Sequence, residues 1–325
     1  MKAIVVERYG DPSVLQLADV APPLAGPGEV IVRVRSTNVN FRDVQERRGS
    51  YAARTTLPLV PGLEGSGTIA ALGDGVTGLA VGQRVVAFAA RGSYAELMPA
   101  SAVLTYALPD DVADERVAGL TAAVTADNAL SLPGHAVAGR TVAVHSAAGG
   151  VGLLALQLAR ARGATRVIGI VGTAAKAEVA RAAGADEVLV RDDDYPAHLN
   201  DLTDGAGVDL VLNSVGGDTV ARDLSATAEF GAVVVFGQSS GAPGRVPTDA
   251  LHKGSRALLG YSSGHLRQRQ PEQLRTTVER VLRRISDGTL SIRIGARFTL
   301  AEAEQAHALL ERGTSTGKVV LTVSG

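Results

Sequence analysis

The chain has 325 residues, 46% of them apolar, with 32 Lys and Arg against 33 Asp and Glu and no cysteine. That length exceeds what one hydrophobic core serves and predicts two domains, and its balanced, interspersed charges argue against nucleic acid or an anionic membrane as partner. The lack of cysteine excludes disulfides, thiolate chemistry and every zinc site that needs a cysteine ligand, and the six histidines show no paired ligand spacing. No run approaches membrane-spanning length and MKAIVVERYG lacks an apolar signal core, so a soluble cytoplasmic protein is expected.

From Met1 to about Asp110 short strands alternate with glycine and proline turns. Strands are predicted over Met1–Glu7, Glu29–Val39, Gly67–Leu72, Arg84–Phe88 and Tyr94–Met98, separated by PPLAGPG, LGDG and VTGLAVG, which reads as a β-rich, partly closed unit. Asp114–Leu130 is alanine-rich and predicted helical, ending before Leu132-Pro133-Gly134.

Thr141–Gly163, TVAVHSAAGGVGLLALQLARARG, changes the pattern. Thr141–His145 suits a strand buried on both faces, Ser146–Gly150 has the small residues of a sharp reversal, and Leu153, Leu156, Gln157 and Arg160 fall on successive helical turns. The unpaired N–H groups and dipole of a helix N-terminus favour a phosphate. Gly149 allows close backbone approach to a pyrophosphate and Gly152 allows the helix to pack tightly on the strand, although Ala147 replaces the first glycine of the usual dinucleotide fingerprint. Ala148, Gly149, Gly150, Val151 and Gly152 are therefore candidate cofactor contacts.

Alternation continues with a strand at Arg166–Val171, a helix at Ala174–Ala183, and strands at Glu187–Val190, Asp209–Val215 and Gly231–Phe236. This implies an α/β domain with a doubly wound parallel sheet, whose ligand lies at the carboxyl ends of the strands, where Ser214 is placed. An amphipathic helix at Pro271–Ser286, a strand at Leu290–Ile294, a helix at Ala301–Arg312 and a strand at Lys318–Val323 complete the chain, and this tail is read as returning to the first domain.

The segments Val39-Asn40-Phe41-Arg42-Asp43, Pro61-Gly62-Leu63-Glu64-Gly65-Ser66-Gly67, Gly78–Val85, Gly119-Leu120-Thr121 and Ala147–Gly152 together resemble the medium-chain dehydrogenase/reductases. Within that superfamily they resemble the zinc-free NADPH-dependent quinone oxidoreductases, and Asn40–Val44 looks equally like the enoyl reductase domains of polyketide synthases. The resemblance implies a GroES-like catalytic domain from both chain ends (1–112 and 261–325), a Rossmann NADPH-binding domain (113–260), and an active-site cleft at their junction. It also implies a homodimer, for which Ala257–Tyr261 is the candidate joining edge strand. Zinc-dependent relatives place a histidine ligand where this chain has Leu63, so no metal is expected and Glu64 is read as structural.

An NAD site would carry an acid about 20 residues after the glycine turn to bind the ribose hydroxyls. Here the strand end reads Ile170-Val171-Gly172-Thr173-Ala174-Ala175-Lys176, without an acid. Thr173 and Lys176 suit a 2′-phosphate, and Arg191 is a candidate second cation, which makes NADPH the expected cofactor. The resemblance places Thr121, Gly237, Gln238 and Ser239 at the nicotinamide ribose and amide, and Lys318 as a cofactor contact from the catalytic domain. Asn40 and Tyr51 match the polar residues lining the cleft of the quinone reductases and are the candidate catalytic residues, both able to donate a hydrogen bond. Arg42 and Asp43 are read as a helix-start charge pair or exposed side chains, and His145 as a packed strand-end residue.

The expected activity is hydride transfer to a quinone or similar conjugated carbonyl. Reduction of an activated alkene (an enone or enoyl group) is the alternative, and an NADPH-binding sensor or structural module without turnover is the reading from another class.

Overall fold

The computed structural model describes residues 1–134 and 136–323, Arg54 by its backbone alone. Two compact units emerge: Met1–Thr121 with the segment that begins at Arg267, and Ala122–Leu266.

In the first unit, β1 (Lys2–Val5) pairs antiparallel with β2 (Gln16–Asp19). Next come β3 (Glu29–Val39), α1 (Phe41–Arg47), β4 (Glu64–Leu72), β5 (Arg84–Ala89) and β6 (Leu97–Ala107). Strands β3 to β6 pair antiparallel in succession and β6 closes back on β3, making a barrel. The alternation of β3 explains its seat: Val30, Val32 and Val34 are buried with Val85, Ala87 and Met98 in one apolar core, while Arg33 and Arg35 point to solvent.

The helix α2 (Leu120–Ser131) leads into the second unit, with β7 (Thr141–His145), α3 (Gly150–Ala161), β8 (Arg166–Val171), α4 (Ala177–Ala182), β9 (Glu187–Val190) and α5 (Tyr195–Leu202). It continues through β10 (Val208–Asn213), α6 (Thr219–Ser225), β11 (Thr227–Val235), α7 (Asp249–His252), β12 (Ala257–Gly260) and α8 (Ser263–Arg269). All six strands are parallel, in the order β12-β11-β10-β7-β8-β9. The α/β reading with a doubly wound parallel sheet and a separate β-rich unit is thus borne out. The strand order reverses between β7 and β10, the switch point at which such sheets bind ligands.

The chain then forms α9 (Pro271–Ser286), β13 (Ile294–Thr299), α10 (Ala303–Glu311) and β14 (Lys318–Thr322). β14 joins the first unit: Ser36–Val39 of β3 pair with it, on the edge that β6 shares only as far as Arg33. The tail therefore returns to the β-rich unit.

Among the predicted elements that differ, three do so for a visible physical reason. The strand expected at Tyr94–Met98 starts at Leu97 and runs to Ala107, past Pro99, whose missing N–H reads in the sequence as a strand terminator. The helix expected from Asp114 is a 3₁₀ turn, Asp114–Val117, followed by α2, because Gly119 breaks the run with φ +137°. A Cβ on Gly119 would lie 3.1 Å from the Lys318 stem, so the break also seats that lysine. The strand expected at Leu290–Ile294 begins where that prediction ends. Leu290 instead closes the end of α9, its N–H donating to the Arg284 carbonyl at 2.8 Å, and its side chain is buried.

Candidate functional site

In the second unit the residues between β7 and α3 form the predicted reversal. Ser146 adopts a left-handed φ of 50°, and Gly149 is the N-cap of α3 without a side-chain cap. Gly150, Val151 and Gly152 form the first helical turn, whose N–H groups have no acceptor within the helix. Gly152 has no room for a side chain: a Cβ would meet the Ser146 carbonyl oxygen at 2.3 Å and the Ala147 Cα at 2.7 Å. Helix and turn are therefore in backbone contact just past the carboxyl end of β7.

Ser214, just past β10, donates its hydroxyl to Ser146 Oγ at 2.9 Å, which ties a second turn to the first across the switch point. Gly237 packs on Ser214, where a Cβ would meet the Ser214 carbonyl oxygen at 2.8 Å, and the Ser239 N–H donates to that oxygen at 3.1 Å. The Gln238 stem packs beside Gly216, at 3.2 Å from where a Cβ would stand. The structure thus brings together Ala148–Gly152, Ser214, Gly237, Gln238 and Ser239.

A third group collects at the ends of β8 and β9. Thr173 is exposed and its carbonyl accepts from the Lys176 N–H at 3.1 Å, starting the 3₁₀ turn Ala174–Lys176. Burial lowers the pKa of the partly covered Lys176 ammonium. The Arg191 N–H donates to the Val171 carbonyl at 2.8 Å, which brings this exposed arginine to the same edge. Of the acids that follow it, Asp193 pairs with Arg222 at 3.6 Å and Asp192 accepts the Asp194 N–H at 3.1 Å. First-turn amides, a hydroxyl and two cations form a donor set that fits a phosphate-bearing dinucleotide.

Beneath these turns lies a network that the sequence does not reveal. The fully buried Asp223 of α6 accepts from His145 Nε2 at 2.7 Å and from the Tyr195 hydroxyl at 2.8 Å, and it also receives the Asn213 amide. Asn213 Oδ1 in turn accepts the N–H groups of Val215 and Gly216 at 2.8 and 2.9 Å, shaping the turn after Ser214. His145 is a packed strand-end residue, as predicted, and it belongs to the support of the site.

In the first unit a chain of buried polar groups runs through β3, β4 and β14. Lys318, only 4% exposed, donates from Nζ to Asn40 Oδ1 at 2.8 Å and to the Val39 carbonyl at 3.3 Å. Asn40 Nδ2 donates to Asn38 Oδ1 at 3.1 Å, and Asn38 Nδ2 to Glu64 Oε1 at 2.9 Å. Glu64 Oε2 accepts the Thr121 N–H at 2.6 Å and so caps the start of α2, a structural role in which both carboxylate oxygens are engaged. Burial lowers the pKa of Lys318, opposed by the charges of Glu64 and Asp43. Lys318 is thus a held cation facing Asn40.

Asn40 is the N-cap of α1 and forms a capping box with Asp43. Asp43, in the first turn of α1, accepts the Asn40 N–H at 2.8 Å and is fully buried, so the helix-start reading of Asp43 holds and the exposed one is corrected. An acid three residues after an N-cap asparagine is a capping-box spacing, the signal in the sequence that could have revealed it. Tyr51 is tied to the same helix: its hydroxyl donates to Gln45 Oε1 at 3.1 Å, and Arg42 lies 5.0 Å from the centre of its ring. Among the described residues no cluster of three His, Asp or Glu side chains is placed to hold a metal ion, and no helix is long and apolar enough to cross a membrane.

Two family descriptions match the chain: an alcohol dehydrogenase GroES-like domain over residues 26–110 and a zinc-binding dehydrogenase over residues 150–283. A quinone oxidoreductase of Pseudomonas aeruginosa is 38% identical over 98% of this chain and 99% of its own length. A phenolphthiocerol/phthiocerol polyketide synthase of Mycobacterium tuberculosis is 33% identical over 91% of this chain, which spans 14% of that protein. Among solved structures, the Escherichia coli quinone oxidoreductase complexed with NADPH superposes with a TM-score of 0.92 at 32% identity, covering 99% of this chain and all of that one. With relatives of this identity matching end to end, the chain belongs to the medium-chain dehydrogenase/reductase superfamily and, within it, to the quinone oxidoreductases.

Proposed function

We propose that the protein is an NADPH-dependent oxidoreductase that reduces a quinone or similar conjugated carbonyl without zinc. The observation that carries this reading is the acid-free end of β8, with Thr173 and Lys176 following the strand that pairs with β7, which enters the glycine turn. A carboxylate at that place would repel a 2′-phosphate, whereas an ammonium and a hydroxyl attract it. The family to which the chain belongs, and the NADPH held by its E. coli relative, support the same cofactor.

When bound, NADPH supplies the hydride. Ala148–Gly152 would hold its pyrophosphate, Thr173, Lys176 and Arg191 its 2′-phosphate, and Thr121, Ser214, Gly237, Gln238, Ser239 and Lys318 the nicotinamide half. Negative charge that develops on the acceptor oxygen needs fixed donors. Asn40 suits this role because one Nδ2 hydrogen is fixed on Asn38 and the other has no acceptor among the described residues. Lys318 grips Asn40 Oδ1 and polarises the amide towards donation. Tyr51 would donate after releasing Gln45.

Zinc independence rests on residue chemistry. Leu63 offers no ligand, the chain has no cysteine, and both oxygens of Glu64 are committed to Asn38 and Thr121. A homodimer joined through β12 fits that strand's place at the edge of its sheet, with Leu258 exposed.

The polyketide synthase relative favours a second reading, reduction of an activated alkene by the same hydride donor. Following NADPH absorbance with quinones, enones and enoyl thioesters, each with and without chelator, separates the readings. Turnover with quinones that survives chelation is expected; turnover with enoyl thioesters alone selects the second reading, and no oxidation with any acceptor overturns both.

Lys176→Ala tests the cofactor assignment. It is expected to weaken NADPH binding by about 1.5–3 kcal/mol, the scale of a hydrogen bond to a charged group, and to leave NADH binding nearly unchanged. Equal losses in titrations with the two nucleotides would refute the phosphate contact.

A further inference from the structure

We propose that Asp43, backed by the buried Tyr94 and His307, is a positioning residue that holds Asn40 beside Lys318. The proposal rests on the reading of Asn40 as a site residue.

The geometry begins with the capping box that Asn40 and Asp43 form at the start of α1. An asparagine at an N-cap ordinarily spends its side-chain oxygen on the helix's own N–H groups. Here the Asp43 carboxylate fixes the N-cap backbone from three residues on, and the Asn40 side chain also binds Lys318 and Asn38. Only one carboxylate oxygen, Oδ2, makes this bond. The same oxygen accepts the Tyr94 hydroxyl at 3.2 Å, while Oδ1 is buried without a hydrogen-bond partner.

Behind Tyr94 stands His307 of α10, with Nε2 3.2 Å from the phenolic oxygen and the two rings edge to face. Burial, reinforced by the nearby Arg47 charge, pushes the His307 pKa down to about 3, so the imidazole is neutral. Because Tyr94 gives its hydrogen to Asp43, we assign the imidazole hydrogen to Nε2, donating to the Tyr94 oxygen. Nδ1 is then a buried acceptor with no partner, as observed.

Asp43 is the group in this chain able to change state near neutrality. Burial raises its pKa to about 7, against the Asn40 N–H that lowers it. The charges that face it are Glu46, which raises the pKa further, and Lys318 and Arg42, which lower it. The neutral Tyr94 and His307 complete its surroundings. When ionised, Asp43 holds the Asn40 N–H by a charge-assisted bond and adds its negative charge to the field that keeps Lys318 an ammonium. When protonated it loses both effects. Stability runs the other way: because the folded pKa is raised, the stabilisation from this group is full below its unfolded pKa of about 3.8 and is lost as pH rises through about 7. The form that positions Asn40 is the form that burial disfavours.

The test is an NMR titration of the Asp43 carboxyl carbon and the Asn40 side-chain amide. Both are expected to move together with a midpoint near 7. Tyr94→Phe is expected to shift that shared midpoint upward, because the carboxylate loses a donor. In Asp43→Asn the Asn40 amide is expected to stay flat across the neutral range while the melting temperature above neutral pH rises. The pH profile of kcat/KM should carry the same acid limb in the wild type and lose it in Asp43→Asn. An Asn40 amide indifferent to the Asp43 titration, or an Asp43 that titrates as an ordinary carboxyl, overturns the proposal. If no acceptor is turned over, the functional reading fails and the amide titration still decides this one.

Discussion

Replacing Gly152 with alanine is expected to reduce NADPH affinity by roughly tenfold or more, about 1.4 kcal/mol per tenfold, and to lower the stability of the fold. The new Cβ would stand 2.3 Å from the Ser146 carbonyl oxygen and 2.9 Å from the Ala147 carbonyl carbon, both of them backbone atoms. Neither can rotate aside as a flexible side chain would, so α3 or the turn must move. Overpacking of this kind destabilises by about 1–3 kcal/mol, and here the displaced segment carries the first-turn amides of the cofactor site. Gly149→Ala provides the contrast, since its Cβ would come no closer than 3.1 Å to the Ser146 oxygen. Thermal melts and fluorescence titration with NADPH check the pair: the Gly152 variant is expected to lose on both measures, and the Gly149 variant to keep more of its stability. Equal melting temperatures for Gly152→Ala and wild type would refute the contact argument.

Asn40→Ala is expected to lower kcat by about 10²- to 10³-fold, the effect of removing one fixed donor from a developing oxyanion. The truncation also leaves Lys318 Nζ and Asn38 Oδ1 without the partner they share. NADPH affinity is expected to change less than kcat, because the proposed phosphate contacts at the glycine turn and Lys176 do not involve Asn40. Steady-state kinetics with a quinone acceptor, together with direct NADPH titration, separates the two quantities. A loss confined to NADPH affinity, with kcat intact, would reassign Asn40 to the cofactor.

The clearest sequence signals are those carried within one short stretch. β7, the turn and α3 are contiguous, so small residues after a β-branched run and before a helical period suffice to place Ala148–Gly152. The step to Thr173 and Lys176 is equally direct, because the next strand of a doubly wound sheet ends at a known distance along the chain. The short helices α5 and α6 are not legible, being too brief and too polar to show a period. The anchor Asp223 is hidden for that reason, although it holds His145, Tyr195 and Asn213 under the cofactor turns.

Asn40 and Lys318 are both singled out by resemblance, but nothing in the sequence joins them. They are 278 positions apart, and their contact exists because β14 pairs with the end of β3, bringing the lysine beside Val39 and Asn40. The sequence by itself determined the backbone devices: the glycine turn, the acid-free strand end, and the absence of cysteine and of a ligand at Leu63. These depend on neighbouring residues and on side-chain chemistry that folding does not alter. Only the tertiary structure decided which charges are buried. Asp43 reads as a helix-start charge beside Arg42 or an exposed side chain, and its burial is decided only where Tyr94 and His307, from elements far along the chain, enclose it and withdraw the water that would have kept it an ordinary carboxylate.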